Sequence, residues 1–65
     1  MTPLGQILED IQRRDWHFDV THLRWAEVYL VGVNGEFESA TSIEEAIRKA
    51  YRAAMAKVVE GKAAA

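Results

Sequence analysis

Apolar residues recur every three or four positions at Leu4, Ile7, Leu8 and Ile11, with Gln6, Glu9, Asp10, Gln12 and Arg13 between them. That spacing predicts an amphipathic helix from about Pro3 to Arg14, with the polar set toward water. Thr2 is placed to cap it, and Pro3 suits a first helical position, where no backbone bond is lost. The period then drops to two. Trp16-His17-Phe18-Asp19-Val20 alternates apolar and polar, which predicts a short strand with Trp16, Phe18 and Val20 toward the helices and His17 and Asp19 on the open side. Thr21-His22-Leu23 reads as a short connection to an antiparallel neighbour.

The next stretch, Arg24 to Ala40, reads as two strands around Asn34-Gly35. That dipeptide tolerates the positive φ angles of a two-residue hairpin turn. With those residues as the loop, Val33 opposes Glu36, Gly32 opposes Phe37, Val31 opposes Glu38 and Leu30 opposes Ser39. Opposed residues share a face. One face then carries Ala26, Val28, Leu30 and Phe37, with Gly32 leaving room for the Phe37 ring, and is expected to be the core side. The other carries Trp25, Glu27, Tyr29, Val31, Val33, Glu36 and Glu38, and is expected to be open.

Thr41 or Ser42 then caps a second helix, with Glu44 and Glu45 at its positive end. Ile43, Ala46, Ile47, Ala50, Tyr51, Ala53, Ala54 and Val58 fall on one broad arc, opposite Glu44, Glu45, Arg48, Lys49 and Arg52. Glu44–Arg48 and Glu45–Lys49 are i,i+4 pairs in the favourable order. Gly61 is the expected stop and 62–65 an expected disordered tail. The order of elements predicts a single α+β domain over 1–61, a two-layer α-β-β-β-α arrangement. A three-stranded antiparallel sheet carries both helices on one face.

Totals change this picture little. Sixty-five residues bury only about 60% of the unfolded surface, so the stability margin is thin and association is an available source of extra burial. There is no cysteine, and the formal net charge is −2. The first excludes disulfides and thiolate metal sites and fits a reducing cytoplasm. The second gives no general attraction to nucleic acid or anionic membrane. No apolar run approaches the ~20 residues of a membrane span, and MTPLGQILED lacks the basic and apolar regions of a secretory leader.

The order of elements, with PLGQILEDIQRR, RWAEVYLVGVNGEFESA and ATSIEEAIRKAYRAA in the corresponding places, resembles the double-stranded-RNA-binding domain. Ser42, Ala46, Ala50 and Ala53 resemble the structural part of that family's last helix. Its two RNA-reading lysines are replaced by Ile43 and Glu44. TSIEEAIRKA also resembles the strand-to-helix segment of HicB-type antitoxins and of small phage α/β sandwich proteins. The resemblance implies the fold above and, as an alternative function, a degenerate nucleic-acid-binding domain using Arg48, Lys49 and Arg52.

No spacing places a nucleophile beside a base and an orienting group, so no enzyme is expected. His17, Asp19 and His22 lack metal-ligand spacing, and neither metal nor other cofactor is expected. The basic cluster of Arg48, Lys49 and Arg52 is flanked by acids that pair with it. The leading expectation is therefore a non-enzymatic protein-interaction module, a homodimer or the docking partner of another protein. Trp25, Tyr29 and Val31 are its expected anchors, Val33 extends the stripe, and Glu27, Glu36 and Glu38 form its rim. Small acidic proteins of this kind are common among mobile-element accessory proteins that inhibit host factors, one use such a face could serve.

Overall fold

The computed structural model describes the backbone of residues 2–64 and the side chains of 2–60. The order is α1 (Leu4–Arg13), β1 (Phe18–Leu23), β2 (Val28–Val33), β3 (Glu36–Ala40) and α2 (Ile43–Ala64). The strands form an antiparallel sheet in the order β1-β2-β3, and both helices pack on one side of it. This is the expected two-layer α+β fold.

Several boundaries move. Pro3 is the N-cap of α1 and makes no side-chain cap; its carbonyl accepts from the amides of Gln6 and Ile7. The other end of α1 closes with two reversed bonds, Trp16 N–H to the Ile11 carbonyl and Asp15 N–H to the Gln12 carbonyl. That pattern needs a left-handed residue just past the helix, and Asp15 supplies it at φ 58°. β1 begins and ends later than expected, so Thr21, His22 and Leu23 are strand rather than connection.

The turn between β1 and β2 is Arg24-Trp25-Ala26-Glu27, closed by Ala26 N–H to the Leu23 carbonyl and Glu27 N–H to the Arg24 carbonyl. Glu27 takes φ 52° there. Trp25 and Glu27 therefore leave the strand on which the sequence pattern places them. The second turn is as expected, with Asn34 and Gly35 both at positive φ and the predicted register across β2 and β3 in place.

The faces of this hairpin are the reverse of the expectation. Val31 and Val33 are 0% exposed and lie in the core with Ile7, Ile11, Ala46, Ile47, Ala50 and Ala54. Tyr29 packs against that cluster, and Glu36 and Glu38 share its side of the sheet. Val28, Leu30, Gly32 and Phe37 form the outer face. The reason lies in α2, which rests on β2 and β3 through Ala46, Ala50 and Ala54. Such small side chains bring the helix close, leaving room beneath it for Val31 and Val33. Glu36 and Glu38 tolerate this side because β3 is an edge strand, where a glutamate stem can lie along the layer and its carboxylate reach water.

Ser42 caps α2, its hydroxyl oxygen accepting from the Glu45 amide at 3.1 Å. Glu44 pairs with Arg48 at 3.2 Å as expected. Lys49 does not turn to Glu45 but donates to the Ser39 carbonyl at 3.0 Å. Ile43, placed on the buried arc by its spacing, is exposed. The helix continues through Gly61 to Ala64, because one glycine costs only about 1 kcal/mol relative to alanine and its surroundings favour helix. Ala65, the end of the expected tail, lies outside the described residues.

Candidate protein-binding surface

The face turned away from the helices is built by strand alternation and the ladder register. β2 contributes Val28, Leu30 and Gly32; β3 contributes Phe37 and Ser39; β1 contributes Asp19, Thr21 and Leu23. Its centre is Phe37, which is 55% exposed although its ring lies against Gly32. A Cβ added at Gly32 would stand 2.5 Å from a Phe37 ring carbon. The glycine therefore sets where the ring sits, as the register predicts. Leu30, Val28 and Leu23 continue the apolar strip, each half-buried. At the end of the sheet where Leu23 pairs with Val28, the turn presents Trp25 at 85% exposure.

Among the described residues the strands contribute no Lys or Arg to this face. Its one carboxylate, Asp19, hydrogen-bonds the His17 ring. The rim is otherwise Thr21 and Ser39. Chemically the strand surface can bury apolar and aromatic groups, and its nearest described cation is Arg24 in the turn beside Trp25.

The expected interface residues separate. Tyr29, Val31 and Val33 belong to the helix side. Tyr29 also stacks on His22 there, ring centroids 4.6 Å apart, which follows from their opposition in the β1–β2 ladder. Glu36 and Glu38 are half-buried on the same side, and Glu27 lies in the turn. Trp25 and Glu27 stay exposed, both in the turn. His17 and Asp19 sit on the outer face and His22 on the inner one, so the three do not converge. Among the described residues no group of three His, Asp or Glu side chains is arranged to hold a metal ion.

The basic cluster separates too. Arg48 donates to the Thr2 carbonyl as well as pairing with Glu44. With Arg52 it lines a shallow groove of about 340 Å³ beside Ile7, Tyr51 and Met55. Lys49 turns the other way, to β3. The three cations therefore do not point into one footprint.

Asp10, assigned to water by its helical spacing, is buried. It accepts from Tyr51 Oη at 2.6 Å, from Arg13 at 2.6 Å and from Arg14 at 2.8 Å. These donors, Tyr51 foremost, hold its carboxyl well below the usual carboxylate range, and the same bond raises the Tyr51 hydroxyl. Arg14 also lies over the Trp16 ring, 5.0 Å from its centroid, and Trp16 meets Tyr51 at a tilt with centroids 6.4 Å apart. These five side chains are committed to one another, which makes this cluster a brace between the end of α1 and α2. The signal in the sequence was an acid three and four residues before two arginines, but nothing local identified Tyr51.

Comparison with known protein families, curated proteins and solved structures finds no match. No helix among the described residues is long and apolar enough to cross a membrane.

Proposed function

We propose that this chain is a non-enzymatic binding module that docks a partner protein on its outer sheet face. The observation that carries this reading is the exposed Phe37 ring, seated on Gly32 in one strip with Leu30, Val28 and Leu23. A strip of aromatic and aliphatic groups with a mostly neutral rim is the composition of a protein contact, in which a few large side chains supply most of the energy. Trp25, at the end of the strip, is the natural second anchor. The fitting partner presents an apolar centre, with a cation or hydroxyl where Asp19 and Thr21 lie. Duplex RNA fits this face poorly, because binding it requires several cations and the strands supply none, leaving Arg24 of the turn alone beside Trp25. A chain without cysteine suits a reducing compartment such as the cytoplasm, and blocking another protein's surface is the simplest use of such a module.

The test is selection from a random displayed-peptide library, followed by titration of the enriched peptides. Wild-type protein should enrich peptides rich in aromatic and aliphatic residues. Phe37→Asp and Leu30→Asp should each weaken them at least tenfold while leaving the far-ultraviolet circular dichroism unchanged. Peptides that bind both variants as tightly as wild type, or no enrichment at all, would refute the assignment.

A further inference from the structure

The two edges of the sheet are treated differently. On β3 the outward carbonyl of Ser39 is already taken by Lys49 from α2. Among the described residues nothing comparable occurs on β1. The strand is Phe18-Asp19-Val20-Thr21-His22-Leu23, and residues 18–22 are all exposed. It contains no lysine or proline, which commonly blunt a sheet edge, and its one charged side chain is Asp19. On the helix side its Phe18 and Val20 are 36% and 42% exposed, because α2 rests on the other two strands.

The ladder defines what this edge offers. Asn34 N–H donates to the His17 carbonyl at 2.8 Å, which continues the β1–β2 register. Antiparallel ladders alternate bonded and non-bonded pairs, so the odd-numbered residues of β1 bond to β2. The N–H and C=O groups of Phe18, Val20 and His22 therefore point outward. The side chains of these same three residues lie on the helix side.

We infer that β1 pairs antiparallel with β1 of a second copy, about a twofold axis perpendicular to the sheet at Val20, to give a continuous six-stranded sheet. In this register Val20 meets Val20, and Phe18 meets His22 of the other copy, so each outward N–H and C=O of the three residues finds its complement. Phe18 and Val20 cover one another on the helix side, aromatic against imidazole and valine against valine. Asp19 opposes Thr21. Neighbouring registers are worse: centring on Asp19 places two carboxylates face to face, and centring on Thr21 carries Phe18 past the end of the strand to Arg24. A twofold β1–β1 contact uses the same edge of both copies, so it closes as a dimer rather than propagating as a fibre. This pairing is independent of the outer face and leaves it free, presented twice.

The measurement is solution mass by light scattering over a concentration series, with amide hydrogen exchange read by NMR. The wild-type protein should approach twice its 7.3 kDa, with the amides of Phe18, Val20 and His22 protected and those of Phe37 and Ser39 open. Val20→Pro removes an outward N–H without touching the β1–β2 ladder, and Val20→Lys opposes two ammonium groups across the axis. Both should yield monomers with unchanged circular dichroism; where Val20→Pro impairs folding, Val20→Lys decides. Phe37→Asp should remain dimeric even though it loses peptide binding, which separates this pairing from docking on the outer face. A wild-type monomer at every concentration, unprotected amides at 18, 20 and 22, or a dimer that persists in folded Val20→Lys would overturn the inference. So would a dimer lost in Phe37→Asp.

Discussion

Tyr51 donates its hydroxyl to the buried Asp10 carboxylate across 41 residues of sequence, at 2.6 Å. That bond joins the end of the first helix to the middle of the second, and Arg13 and Arg14 complete the acceptor's partners from its own helix. Removing the donor leaves a buried carboxylate with one partner fewer, which costs more than an exposed pair would. Tyr51→Phe should lower the urea midpoint clearly, and Tyr51→Phe combined with Asp10→Asn should cost less than the sum of the two alone. Full additivity in that cycle would show that the bond contributes nothing.

The same bond sets an acid dependence. Tyr51, Arg13 and Arg14 favour the charged form of Asp10, so its folded-state pKa is depressed. Below the unfolded value of about 4, the unfolded chain takes up a proton that the folded one resists, and stability falls as pH falls. Above that value the contribution is fully present. Urea midpoints of the wild type should therefore be flat with respect to this group at neutral pH and decline below about pH 4. Asp10→Asn should be less stable at pH 7, with a shallower acid decline; an identical slope in the two proteins would contradict the assignment.

Asp15 ends α1 at φ 58° in a position that glycine fills most easily. Asp15→Gly relieves the left-handed backbone at the cost of a more flexible unfolded chain, and should stabilise by about 0.5–1 kcal/mol. Asp15→Val should destabilise by more than that. Thermal denaturation of the two variants checks both signs, and a stabilising valine would show that the backbone there is not as described.

Local chemistry was legible wherever one residue type has one use. Asn34-Gly35 announced the turn and the register, Thr41-Ser42 the helix cap, which Ser42 makes, and Gly32 opposite Phe37 the seat of the ring. The β1–β2 turn was not legible, because Arg24-Trp25-Ala26-Glu27 contains no glycine, proline or asparagine and places a glutamate at positive φ. Missing it left Trp25 and Glu27 on a strand face they do not share. The inverted hairpin has another cause. Glu27, Glu36 and Glu38 on the other face favour Ala26, Val28, Leu30 and Phe37 as core, yet the close approach of Ala46, Ala50 and Ala54 selects the slimmer Val31 and Val33. Asp10 was lost because its decisive partner is far away in sequence.

Gly32 and Phe37 should behave as one unit. A methyl group at Gly32 cannot coexist with the ring where it lies, so Gly32→Ala must displace Phe37 from the sheet. The cost of Gly32→Ala should largely vanish in a Phe37→Ala background. Peptides that recognise the wild-type face should lose affinity for Gly32→Ala even where its folding is intact. Equal costs in both backgrounds would mean that the ring does not rest on the glycine.

The assignment of faces is open to a sharper test, because Leu30 and Val31 are neighbours of similar character on opposite sides of one strand. Val31 is fully buried beneath α2, and a carboxylate there would be desolvated without a partner, a change large enough to unfold a domain of this size. Leu30 lies on the outer face, where a carboxylate keeps its water. Val31→Asp should abolish cooperative unfolding, and Val31→Ala should cost about 2 kcal/mol or more through the cavity it leaves. Leu30→Asp should fold with a midpoint close to wild type. The opposite result, an unfolded Leu30→Asp beside a folded Val31→Asp, would restore the face order that the alternation of acids suggests and remove Phe37 from the surface.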